Sequence, residues 1–149
     1  MSVSYDLFTG AFLAKISEFE FLQLPTAYRT DLVDGYMKRA VAEFKHICVY
    51  DLMNAMNDET REFTINIEDD DIDEIVNIVS EGMVVQWLKP YIYRQELLEN
   101  TLNTKDFTTY SPAELLMRVG NAYKNSQKDY LQMTREYSYN HGDLTDLHI

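Results

Sequence analysis

Apolar residues recur along most of this chain at steps of three and four, the period of an α-helix, and alternate in one short stretch only. Leu7, Phe8, Ala11, Phe12, Ala14 and Ile16 predict a first helix from about Tyr5 to Phe19, ending before the connection "LPTAYRT". Leu32, Val33, Tyr36, Met37, Ala40, Val41, Phe44, Ile47 and Cys48 predict a second, beginning between Thr26 and Thr30, with Asp34, Lys38, Arg39, Glu43 and Lys45 on its polar face. In "REFTINIEDDD" the period changes: Phe63, Ile65 and Ile67 alternate with Thr64 and Asn66, so this segment reads as a short strand or an extended arm.

A third helix is expected to start at Asp69, Asp70 or Asp71, where carboxylates can cap free N–H groups and suit the positive end of the helix dipole. Its run of Met83, Val84, Val85, Trp87, Leu88, Tyr91 and Ile92 is broad enough to make it the central, most buried element, and Pro90 should kink or interrupt it. The fourth helix opens at "YSPAELL" with Ser111 as N-cap, Pro112 at the first helical position and Glu114 completing a capping box. Leu116, Val119, Tyr123, Tyr130, Met133 and Tyr137 form its core stripe, broken only at Ser126. Asn140 and Gly142 then signal a stop, leaving Leu144, Leu147 and Ile149 on a segment that does not continue the helix and that either folds back onto its own core or adds as an extended segment to a neighbouring subunit or partner. The fold class is therefore mainly α: a four-helix domain over residues 1–136, with a short strand-like arm between helices 2 and 3, and an extended C-terminal tail over 137–149.

Composition narrows the classes of function. A chain of 149 residues, 46% of them hydrophobic and 26% charged, suits one folded domain rather than disorder. Eleven Tyr, seven Phe and one Trp are a heavy aromatic load, suited to interfaces where one end of a ring is buried and the other hydrated. The single cysteine, Cys48, excludes an intramolecular disulfide and a Cys-rich zinc site, and reads as a small buried hydrophobe. The N-terminus lacks the charged and apolar regions of a signal peptide, and no stretch approaches the roughly 18 apolar residues of a membrane span, so the expected compartment is cytoplasmic.

A net charge of −12 disfavours binding to a phosphate backbone or an anionic membrane. Asp58, Glu59, Glu62, Glu68, Asp69, Asp70, Asp71, Asp73 and Glu74 are opposed within their segment by Arg61 alone, so 9 − 1 = 8 of the excess negative charges come from these seventeen residues. "EDDDIDE" lacks the glycine and the terminal bidentate glutamate of a helix–loop–helix calcium loop, and a contiguous acidic run splays its carboxylates around a helix start rather than focusing them on a metal. His46 reads as a structural histidine, and His141 and His148 lack a ligand spacing. With no glycine-rich phosphate loop, GxSxG elbow, HExxH or Cys/His pair, neither an enzyme nor a cofactor or metal is expected.

Four helices, the acidic arm, the long helix introduced by "YSPAELL" and the tail "YSYNHGDLTDLHI" together resemble the small head–tail connector proteins of tailed bacteriophages, also called adaptors or head-completion proteins. The resemblance implies a cyclic homo-oligomer of about a dozen copies. This ring would sit beneath the portal, extend the DNA channel and receive a tail or stopper protein on its far side. It implies a place in the virion neck, after assembly in the host cytoplasm, and no membrane partner. Tyr137, Tyr139, Leu144, Leu147 and Ile149 would then dock onto the portal or a neighbouring subunit as an added extended segment. Phe63, Ile65, Ile67, Tyr123 and Tyr130 are candidates for the subunit interface. Glu68, Asp69, Asp70, Asp71 and Asp73 are candidates for the channel face, where carboxylates repel DNA that passes without specific binding. Two other readings of the same acidity are an inhibitor that mimics DNA and, less favoured, a metal-dependent nuclease.

Overall fold

The computed structural model describes residues 2–17, 29–93 and 112–141. Its order is β1 (Val3–Ser4), α1 (Tyr5–Ile16), α2 (Arg29–Phe44), α3 (Leu52–Ala55), β2 (Met56–Asn57), β3 (Glu62–Phe63), α4 (Asp69–Tyr93) and α5 (Pro112–His141). The chain is mainly α. Among the described residues no helix is long and apolar enough to cross a membrane.

α4 is the element that the others share. Gly82 and the run from Met83 to Leu88 lie in the interior, and α1, α2 and α5 all pack on it. A helix apolar on all sides cannot be an outer element, because each face must be withdrawn from water. At Gly82 the crossing is tight: a Cβ there would lie 3.0 Å from Cε1 of Tyr130 on α5 and 3.2 Å from the Ala40 Cβ on α2. Glycine lets three helices meet at this point. Pro90 lies inside α4, which nonetheless continues to Tyr93.

The strand-like arm is shorter than its alternation suggests. β3 spans Glu62–Phe63 and is the middle strand of a three-stranded antiparallel sheet, in the order β1-β3-β2. Phe63 lies opposite Val3 on one side and Met56 on the other. Ile65 and Ile67 fall outside the ladder, so the alternation records burial rather than strand pairing: Phe63 and Ile67 are buried, Ile65 is half-buried, and Thr64 and Asn66 are exposed. The Phe63 ring packs against Tyr5 and Phe8, at centroid distances of 4.9 and 5.1 Å, which fastens the hairpin to the start of α1.

Helix starts differ in detail from expectation. Ser4 caps α1, its Oγ accepting from the Asp6 N–H at 3.1 Å. On α4 the carboxylates Asp69, Asp70 and Asp71 occupy the first turn itself, where they face the positive end of the helix dipole. α2 ends at Phe44, which leaves His46 exposed in the following turn rather than inside the helix. α5 begins at Pro112, its expected first position, while the expected cap Ser111 lies outside the described residues. The break in the α5 stripe at Ser126 is not a break in burial. Val119, Ala122, Ser126, Tyr130, Thr134 and Tyr137 all face inward, with Tyr123 and Met133 half-buried beside them.

α5 also runs further than the proposed boundary at residue 137. It is helical through His141, and Tyr137 is fully buried.

Candidate functional site

The acidic segment is divided between the β2–β3 turn and the start of α4. Asp58 and Glu59 lie in the turn between β2 and β3, Glu68 precedes α4, and Asp69, Asp70, Asp71, Asp73 and Glu74 lie in its first two turns. Glu68, Asp69, Asp70 and Asp73 are exposed, so their charge projects into solvent. Asp58 is instead engaged, accepting from Lys38 Nζ and the Tyr5 hydroxyl at 2.9 Å each, and the lysine followed by the tyrosine draws its carboxyl below the usual range. Arg61, the one base of the segment, spans Asp34 on α2 and Asp6 on α1.

Two of the carboxylates turn inward to meet the end of α5. Nε2 of His141 lies 3.0 Å from Glu74 Oε2 and 3.9 Å from Asp71 Oδ1. The other oxygen of Asp71 accepts from the Tyr50 hydroxyl at 2.6 Å, a bond that raises the Tyr50 pKa. The imidazole rests on the Tyr137 ring at a centroid distance of 4.4 Å. Tyr137 is fixed in turn by Phe44, at 5.1 Å, and by the Val49 N–H, which donates to its hydroxyl at 3.1 Å. The Tyr137 hydroxyl also lies 3.7 Å from Cys48 Sγ. Burial pushes the Cys48 thiol up, the opposite of what an activated nucleophile requires.

One groove on the outer side of α5 is basic, although Asp129 and Glu136 are exposed on the same helix. Lys124, Lys128 and Arg135 are exposed and, with Gln127 and Leu131, line a shallow groove along the helix. Leu131, Met117 and Tyr139 are exposed apolar residues of the same helix, at 46%, 61% and 71%. α5 holds four Lys or Arg (Arg118, Lys124, Lys128, Arg135) against three Asp or Glu (Glu114, Asp129, Glu136), so its balance of 4 − 3 = +1 contrasts with −8 over residues 58–74.

These positions redistribute the residues singled out from sequence. Tyr137 is not part of an extended tail: it is a core residue of α5, and its ring and hydroxyl are already engaged within the chain. Tyr139, two residues on, lies on the same helix and points outward. Leu144, Leu147 and Ile149 lie outside the described residues. Phe63, Ile67 and Tyr130 are at most 8% exposed, so they have no free surface to offer a neighbouring subunit, whereas Tyr123 and Ile65 remain half-exposed. Asp71 is only 16% exposed at its side chain and faces His141, so it separates from the outward group of Glu68, Asp69, Asp70 and Asp73.

Sequence reasoning missed the convergence of His141 with Asp71 and Glu74. One signal was present: Tyr137 and His141 are four residues apart, so a helix carried one turn beyond Tyr137 places the imidazole over the end of the buried stripe. Comparison of the chain with protein-family models, with curated proteins and with solved structures yields no match.

Proposed function

We propose that this chain is a structural subunit of a bacteriophage head–tail connector, assembling as a ring beneath the portal and extending the channel through which DNA passes. The observation that carries the reading is the segregation of charge on a small helical domain. An exposed acidic cluster formed by Glu68, Asp69, Asp70 and Asp73 is set against a basic groove along α5 at Lys124, Lys128 and Arg135. Ring closure needs two different patches that recognise each other by rotation. In a chain of net charge −12, a basic groove with the exposed Leu131 beside it is suited to the predominantly acidic surface of a second copy. The acidic cluster is suited to the channel, where carboxylates repel phosphate over about 8 Å at physiological ionic strength. Portal and tail or stopper proteins are the remaining partners in this reading.

Two sets of substitutions test it in assembled particles. Lys124→Glu, Lys128→Glu and Arg135→Glu together are expected to abolish incorporation of the chain. Asp69→Asn, Asp70→Asn and Asp73→Asn together are expected to leave incorporation intact and to slow DNA ejection. Normal incorporation of the first variant together with normal ejection by the second would overturn the assignment.

A further inference from the structure

We infer that Asp71, Glu74 and His141 form a binding site for a divalent cation of the zinc class, fastening the end of α5 to the start of α4. The inference is independent of the connector reading. One imidazole nitrogen and one oxygen from each of two carboxylates lie within 4.8 Å of one another, although the histidine is 67 residues from the nearer carboxylate in sequence. Ligand atoms at roughly 2.0–2.2 Å from a tetrahedral zinc are about 3.3–3.5 Å apart. The Nε2 separations of 3.0 Å from Glu74 and 3.9 Å from Asp71 bracket that spacing, so small side-chain rotations bring all three onto one ion.

The supporting contacts are those of a ligand set held in place. Tyr50 binds Asp71 Oδ2 and leaves Oδ1 turned toward the histidine, as an outer hydrogen bond orients a metal-binding carboxylate. Tyr137 supports the imidazole from below, and its own ring is anchored in the core. All three ligand side chains are partly exposed, which leaves water access to complete the coordination. Glu68, Asp69, Asp70 and Asp73 flank Asp71 and Glu74 in sequence, are exposed, and add negative charge that attracts a cation. The imidazole decides the class of ion. Mg²⁺ and Ca²⁺ select oxygen ligands, whereas a mixed nitrogen and oxygen set favours Zn²⁺ and its transition-metal neighbours.

Calorimetric titration of the full chain, stripped with EDTA, tests the site directly, with ZnCl₂ as the probe and MgCl₂ and CaCl₂ alongside. One Zn²⁺ per chain is expected, with affinity falling more than tenfold in His141→Ala and in Glu74→Gln and remaining unchanged in His46→Ala. Tyr50→Phe keeps the ligands and the ring but loses the orienting bond, so it should weaken zinc about 10- to 100-fold while the far-ultraviolet circular dichroism is preserved. At a hundredfold excess over its Kd, Zn²⁺ should raise the wild-type Tm by about 5 °C or more. Absence of zinc binding, equal binding by wild type, His141→Ala and Glu74→Gln, or Mg²⁺ binding as tight as that of Zn²⁺ would each overturn the assignment. If His141→Ala fails to fold, Glu74→Gln and Tyr50→Phe decide the question.

Discussion

The guanidinium of Arg61 donates to both carboxylate oxygens of Asp34, through Nε at 3.0 Å and Nη2 at 2.8 Å, while Nη1 reaches Asp6 at 2.8 Å. The Asp34 bond is the main reason that the guanidinium holds its proton even more firmly than usual. Arg61 closes the turn between β2 and β3 with a φ of 53°, and its carbonyl accepts from the Tyr5 N–H at 2.9 Å. One residue thus joins the hairpin to α1 and α2. Arg61→Ala should destabilise the fold by about 1–3 kcal/mol, with Arg61→Lys in between because an ammonium cannot reproduce the fork. Urea denaturation of the three proteins measures the order.

Tyr137 separates two contributions within one side chain. Tyr137→Phe keeps the packing on Phe44 and removes the hydroxyl that accepts from Val49, and should cost about 1–2 kcal/mol. Tyr137→Ala removes a fully buried ring and should cost about 3–5 kcal/mol. Equal, small losses in thermal denaturation would mean that this end of α5 is not packed as described.

The helical glycines divide by their surroundings. At Gly82 the Cβ of an alanine would press on Tyr130 and Ala40, so Gly82→Ala should destabilise by about 1–3 kcal/mol. At Gly35 and Gly120 a Cβ meets nothing within 4 Å, so alanine there should stabilise by roughly 0.5–1 kcal/mol through helix propensity. Opposite signs of ΔTm for Gly82→Ala and Gly120→Ala check this.

Stability should fall in alkali. Burial raises the Tyr130 pKa from 10.0 to about 12, and burial also raises those of Tyr36, Tyr91 and Tyr137. A folded-state pKa above the unfolded value means that the folded chain holds the proton longer. The stabilisation is complete below pH 10 and is lost as pH rises through the folded value. The urea midpoint should therefore decline from about pH 10 to 12, less steeply in Tyr130→Phe. A midpoint independent of pH across this window would contradict the burial of these rings.

The helices were legible because their information is local. The three-and-four spacing of Val33, Met37, Ala40, Val41 and Phe44 marks the buried face of α2, and the continuous apolar run before Pro90 marks α4 as central. β1 was not legible, since two residues carry no period and Val3 becomes a strand only by pairing with Phe63, sixty residues away. Tyr137 fitted both a helix stripe and a tail in sequence, and its contacts with Phe44 and Val49 decide between them. Asp71 reads as one of many solvated carboxylates until Tyr50 and His141 close around it. Each of these failures involves a contact distant in sequence, which residue spacing alone does not encode.

The connector assignment is tested most directly by counting copies of the chain per virion, using quantitative mass spectrometry against the major capsid protein. A fixed stoichiometry of about a dozen is the predicted result. Virions that lack the chain would contradict it.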